Sequence, residues 1–403
     1  MISLPENVAK IIQKLTENGY EAYAVGGCVR DSIIHRVPGD WDITTSAMPM
    51  QVKALFKRTI DTGIKHGTVT IMMDKTGYEV TTYRIDGEYE DSRHPKNVIF
   101  TSSLSEDLRR RDFTINAMAY NDSEGIIDLF SGREDIKNKI IRCVGDARER
   151  FCEDALRMLR AVRFSAQLGY SIEEKTADAI RELSPSIANI SRERIHTELT
   201  KILLSDNPDY IFVAKDLGIT GVVLSAVDEI IDVRECSALL RAVKKDTIFR
   251  YAALFYSVGG DGTRRMLKEL KLDNYTIENV SRLVSLHKMD ITADVCEVRK
   301  QASDIGICMY EWLLEFEKDF YRVTGDKDSY EAILMQTDIF RGILERKECL
   351  CLKDLAVTGK DLIDEGMKPG KEMGAVLEAM LEHVLAHPSD NDREILLSKF
   401  VKK

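Results

Sequence analysis

No uninterrupted apolar run in this 403-residue chain approaches the roughly 20 residues of a membrane span, and the opening MISLPENVAK lacks a basic region followed by an apolar stretch. These absences predict a cytoplasmic protein that makes no use of a membrane. C-x-x-C pairs are also missing. The eight cysteines are scattered (Cys28, Cys143, Cys152, Cys236, Cys296, Cys308, Cys349, Cys351), a pattern of reduced, mostly buried thiols. Seven histidines show no ligand spacing. Positive charge is not in surplus: a net charge of −10 excludes a protein that coats nucleic acid non-specifically, yet permits a local basic groove. Internal repeats and low-complexity tracts are absent, and no proline occurs between Pro208 and Pro369.

What remains is an ordinary globular composition, 44% hydrophobic and 31% charged, in a chain too long for one core and expected to form two to four units. The first third alternates element types. A helix over 7–18 leads to a strand at EAYAVG, a glycine turn, a short helix and a strand carrying Asp40 and Asp42. Further strands are expected at 66–73, 78–84, 116–121 and around 140–144, all rich in β-branched or aromatic residues. Between Asp86 and Asp107 the sequence DGEYEDSRHPKNVIFTSSLSED reads as a long functional loop. From Arg148 onward apolar residues recur at i, i+3, i+4. Thus RERFCEDALRMLRAVRFSAQLG reads as a helix closed by Gly169, and most of the remaining chain should be helical.

Four constellations carry chemistry. In Gly39-Asp40-Trp41-Asp42-Ile43-Thr44, aspartates at i, i+2 on a strand face the same side, with Trp41 opposite. Paired carboxylates repel unless a cation lies between them, and hard oxygens without Cys or His nearby favour magnesium. A solvated strand face is the other reading. Glu79 is the candidate for a third carboxylate or for a surface residue. Gly26 and Gly27 leave a strand and open a helix with Arg30 one turn in, which makes either a phosphate cradle or a tight turn. Cradle and metal pair together suggest nucleoside triphosphate chemistry.

The third constellation is RRRDFTINAMAYN. Its arginines either form a solvated run or approach the sheet edge near the aspartates, with Arg111 as the triphosphate ligand. Between Asp107 and Arg163 the chain has ten arginines against two lysines, and arginine's planar fork suits phosphates and base edges. The fourth is Asp154 and Arg157, i, i+3 on one helix face, with Arg160 and Arg163 beyond. They make either a surface ion pair or an acceptor and donors arranged as a Watson–Crick edge. Cytosine and adenine offer an amino donor beside a ring-nitrogen acceptor and would satisfy that edge; uracil and guanine would leave polar groups unpaired.

GGCVRD, GDWDITT, KHGTVTI, DGEYEDSRHP, RRDFTINAMA, RFCEDALRMLRAVRF and SRERIHTEL closely resemble the class II tRNA nucleotidyltransferases. These CCA-adding enzymes share a polymerase β-like head with bacterial poly(A) polymerases. VTGKDLIDEGMKPGKEMGAVL (357–377) is similar to the C-terminal segment of shorter bacterial members. The resemblance implies an α+β protein shaped like a seahorse: a mixed-sheet head over 1–146, then an all-α neck over 147–205, body over 206–350 and RNA-binding tail over 351–403. It makes Asp40 and Asp42 the catalytic magnesium ligands, and Gly27, Arg30 and Arg111 the triphosphate contacts. Asp154 and Arg157 become the base-selecting pair, flanked by Arg160 and Arg163 as nucleotide-site arginines. The implied reaction is two-magnesium attack of an RNA 3′-hydroxyl on the α-phosphorus of CTP or ATP, with the acceptor arm of tRNA as partner, held by backbone and shape. An A-adding enzyme or a poly(A) polymerase is the alternative within the family, and a non-catalytic RNA-binding protein the alternative outside it. EYEDSRHP favours CCA or A addition, and the lack of histidine in YAALFYSVGGDG argues against an appended phosphohydrolase.

Overall fold

The computed structural model describes residues 2–87, 98–229 and 232–401. The chain forms two compact units, Met1–Ile231 with Glu269–Leu272, and Asp232–Lys268 with Asp273–Lys403.

The first unit opens with α1 (Glu6–Glu17), which buries Val8, Ile11, Ile12 and Leu15, one stripe at helical spacing. Then come β1 (Ala22–Val25), α2 (Gly27–Ile33), β2 (Asp42–Thr45), α3 (Pro49–Leu55), β3 (Thr59–Gly63), β4 (Thr68–Met73) and β5 (Thr76–Thr82). A small hairpin, β6 (Arg84–Asp86) with β7 (Val98–Phe100), precedes α4 (Leu104–Arg109), β8 (Met118–Asn121), β9 (Gly125–Asp128) and α5 (Gly132–Asn138). One seven-stranded sheet results, in the order β3-β4-β5-β2-β1-β8-β9. The β2–β5 pair is parallel and the other pairs are antiparallel. All four residues of the central strand β1 are buried, as expected of a strand covered on both faces.

The central strands and α1 fall where the sequence pattern expects them. Strand β3 carries no such pattern, because it is an exposed, polar edge strand without alternation. The strand expected near 140–144 shrinks to Ile140–Ile141, paired in a separate two-stranded ladder with Ser171–Ile172. Of the loop expected over 86–107, residues 88–97 lie outside the described residues, while its far end forms β7 and α4.

Beyond the sheet are α6 (Ala147–Glu153), α7 (Leu156–Leu168), α8 (Glu174–Leu183) and α9 (Arg192–Leu203). The single helix expected across 148–169 is broken at Asp154, whose backbone is extended (φ −146°, ψ 103°). The reason is local. The Asp154 carboxylate accepts a hydrogen bond from Leu156 N–H at 3.0 Å, starting a new helix as a side-chain cap does. Helix α7 is buried on most sides and closes at Gly169, left-handed at φ 69°.

In the second unit every described element is helical. The longest helices are Ile307–Thr324, Lys327–Glu345 and Lys371–Ala386, the first two joined through a left-handed Gly325. Cys349, Leu355, Val357, Leu362, Met380, Val384, Leu396 and Leu397 build one of its apolar clusters. No described helix is long and apolar enough to cross a membrane.

Candidate active site

The site sits at the end of the sheet where β1 gives way to α2. Gly26 has φ 88°, a left-handed value that a side chain would strain. A Cβ there would lie 3.1 Å from Arg111 Nη1, so glycine also permits the approach of that guanidinium. Antiparallel pairing sets Val25 opposite Asp42, which brings the aspartates beside the glycine turn. Only Asp42 lies on the strand. Asp40 precedes the ladder and is exposed, so the expected shared strand face holds for one member of the pair.

Charge in this corner is unbalanced. Asp42 is open to solvent yet closely surrounded by protein atoms. Burial and the charge of Asp40 push its carboxyl above the ordinary range, and Arg111 pulls in the other direction. Glu79 is also pushed up, by burial and by Asp42 and Asp40. It lies next to Val80, which pairs with Ile43, so it stands abreast of Asp42 across the parallel ladder. Among the described residues no set of three such ligands converges tightly enough to hold a metal. Two hard carboxylates stand here, and Glu79 is near enough for their charges to raise it. Such a pair suits a cation that takes its remaining ligands from water and phosphate, as magnesium does.

Arg111 is held in place by Asp107, a residue outside the four constellations. Asp107 is fully buried and accepts from Thr44 Oγ1 on β2 at 3.0 Å, from Arg110 Nε and Nη2 at 3.0 and 2.8 Å, and from Arg111 Nη2 at 3.4 Å. Burial alone would raise its carboxyl, but the two arginines and the Thr44 hydroxyl outweigh that and lower it. Asp107 therefore ties the aspartate strand to the arginine facing it. Its signal in the sequence is the i, i+3, i+4 spacing to Arg110 and Arg111. Arg111 Nε is buried and has no hydrogen-bond partner among the described residues.

Arg30 is buried and pinned, donating to Asn116 Oδ1 at 2.6 Å and, through Nε and Nη2, to Asp31 Oδ1 at 2.9 and 2.8 Å. Its Nη2 would lie 3.6 Å from a Cβ on Gly27. Arg160 donates to Asp112 Oδ2 through Nε and Nη2 at 2.8 and 2.6 Å, and Arg163 pairs with Glu198 at 3.2 Å.

Asp154 and Arg157 do not share a face of one helix, because the break at Asp154 separates them. The Asp154 carboxylate meets Arg194 Nη2 at 2.7 Å. Arg157 pairs with Glu153 at 2.5 Å and donates to the Arg150 and Arg110 carbonyls, both at 3.1 Å. Arg194 and Glu153 are therefore part of this arrangement. The motif SRERIHTEL contains Arg194, but only the tertiary fold brings it to Asp154.

Residues 22–142 match the poly A polymerase head domain, residues 169–229 the RNA and SrmB-binding site of polymerase A, and residues 243–400 tRNA nucleotidyltransferase domain 2. The CCA-adding enzyme of Enterococcus faecalis is 38% identical over 99% of this chain and 96% of its own length. That of Pediococcus pentosaceus is 35% identical over 98% and 96%. The chain belongs to the CCA-adding enzyme family. As a member of that family it is a nucleotidyltransferase. Among solved structures of the family, the Bacillus stearothermophilus CCA-adding enzyme in complex with CTP matches with a TM-score of 0.78 at 32% identity, covering 97% of this chain and 96% of that one. The Thermotoga maritima CCA-adding enzyme complexed with tRNA shares the fold, with a TM-score of 0.64 at 20% identity over 98% and 95%.

Proposed function

We propose that this chain adds C, C and A in turn to the 3′ end of tRNA from CTP and ATP, releasing pyrophosphate, with no nucleic-acid template. The carrying observation is the convergence of Asp40 and Asp42, the glycine turn and Arg111 at one sheet end, in a chain similar throughout its length to CCA-adding enzymes. Residues 1–146 act as the catalytic head and 147–205 as the nucleotide-selecting neck, while 206–350 and 351–403 hold the acceptor arm of tRNA. Eight free cysteines suit a cytoplasmic enzyme.

Asp40 and Asp42 hold magnesium, whose unfavourable alternative is the charge crowding seen at Asp42 and Glu79. Bound magnesium makes the RNA 3′-hydroxyl a better nucleophile and offsets charge on the leaving pyrophosphate. Gly27, Arg30 and Arg111 bind the triphosphate; Arg111 brings a guanidinium whose Nε is buried without a partner among the described residues. Arg160 and Arg163 line the nucleotide site. Asp154 and Arg157 select the base. Their partners Arg194 and Glu153 hold them in place for that contact. Cytosine and adenine offer a complementary edge, whereas uracil and guanine leave buried groups unpaired, at about 1–3 kcal/mol each.

The test is extension of tRNA ending at the discriminator base with CTP, ATP or both. Addition of CC with CTP alone and CCA with both is expected, while long A tracts from ATP alone, or no addition, overturn the proposal. Arg157→Ala should admit UTP and GTP; unchanged rejection of both would refute base selection by this pair.

A further inference from the structure

Phe164 follows Arg163 on α7 and is 6% exposed. Three guanidinium groups lie over its ring: Arg163 at 4.1 Å from the centroid, Arg30 at 5.2 Å and Arg160 at 5.4 Å. Phe113 meets the same ring edge-on at 5.8 Å and 79°. Arg30 comes from α2, immediately after the glycine turn, and the other two from α7. No other ring gathers more than one cation among the described residues.

Three cations in so small a volume repel one another. Burial pushes the Arg163 guanidinium down to about 10; Glu198 opposes this, and Arg160 and Arg30 add to it. Asp31, Asp112 and Glu198 pair with Arg30, Arg160 and Arg163 respectively, and the charges of Asp112 and Glu198 each act on both Arg160 and Arg163. Those carboxylates lie on three separate elements, α2, the segment before β8 and α9, whereas the Phe164 ring centroid lies within 5.4 Å of all three guanidinium groups. The negative face of a buried aromatic ring attracts each of them.

We propose that Phe164 is a positioning residue of the nucleotide site, its ring gathering Arg30, Arg160 and Arg163 into one cationic wall beside the glycine turn. This rests on the reading of those arginines as nucleotide contacts. The wall adjoins the turn through Arg30, whose Nη2 is 3.6 Å from a Cβ position on Gly27. Phe164 acts through the arginines, and its effect falls equally on CTP and ATP because it does not meet the base edge.

Phe164→Leu keeps an apolar side chain but loses the ring, whereas Phe164→Tyr keeps the ring. Calorimetric binding of CTP and of ATP to the full chain, without tRNA, should weaken about tenfold for both nucleotides in Phe164→Leu and stay near wild type in Phe164→Tyr. In the extension assay KM for both nucleotides should rise by a similar factor while kcat changes less and KM for tRNA stays put. Unchanged nucleotide binding in a folded Phe164→Leu protein overturns the proposal, as does equal loss in the Leu and Tyr variants. Because calorimetry needs no turnover, its outcome stands even if the wild-type chain binds CTP and adds nothing to tRNA, a result that would sink the transferase reading alone.

Discussion

Asp112, like Asp107, is a buried carboxylate that accepts four hydrogen bonds. Its Oδ2 accepts two hydrogen bonds from Arg160, and its Oδ1 accepts from Phe113 N–H at 2.9 Å and Asn116 Nδ2 at 3.2 Å. Burial alone would raise the carboxyl; Arg160, with help from Arg157 and Asn116, outweighs it and brings the group from 3.8 to about 2. At 1.36 kcal/mol per pH unit, that difference corresponds to about 2 kcal/mol of folding free energy. A depressed carboxyl stabilises the fold above its unfolded value near 4, and the contribution drains away as pH falls through about 2. Asp112→Asn at neutral pH should therefore cost about 2 kcal/mol, and Asp112→Ala about 3–5 because Arg160 is left with an uncompensated, two-thirds-buried charge. The two tryptophans, Trp41 and Trp312, fall in different units. Urea unfolding followed by fluorescence in a Trp312→Phe background thus reports on the unit containing Asp112. A double-mutant cycle with Arg160→Gln supplies the decisive number: a coupling energy near zero, or Asp112→Asn costing under about 0.5 kcal/mol, would refute the assignment.

Asp42→Asn should abolish transfer and raise stability. A carboxyl raised in the folded state favours folding below its unfolded value and opposes it once pH passes the folded one, so at neutral pH removing the charge relieves strain. Solvent access limits the gain to under about 1 kcal/mol, a Tm rise of a few degrees, and added magnesium should raise Tm for wild type but not for this variant. Wild-type turnover in Asp42→Asn would remove the metal assignment. Gly26→Ala adds a Cβ at φ 88°, 3.1 Å from Arg111 Nη1. The backbone cost is about 1–2 kcal/mol, and a displaced Arg111 should raise nucleotide KM severalfold. Steady-state kinetics showing unchanged KM would mean Arg111 does not serve the triphosphate.

Much is legible without coordinates where physics is local. The stripe of α1, the buried run of β1, the turn at Gly26 and the cap at Gly169 each follow from periodicity or from the φ that only glycine adopts freely. The edge strand β3 escapes because a polar, exposed strand has no pattern to read, and its pairing is supplied by a neighbour. The break at Asp154 escapes for a different reason. Apolar spacing runs through 148–169 without interruption, and a capping carboxylate adds no gap to that rhythm.

The residues of the chemistry are plain in the sequence: two aspartates beside a glycine turn, an arginine run and an Asp154/Arg157 pair. Chain order alone determined their type and local spacing. What only the tertiary structure decided is how they are held. Thr44, Asp107 and Arg111 come together because a buried carboxylate must find every donor it can; Asp154 turns to Arg194, forty residues on, and Arg157 turns away to Glu153. Three arginines share one phenyl ring for the same class of reason. Partner choice among buried charges depends on distances that close only when the chain folds, and sequence spacing does not contain them.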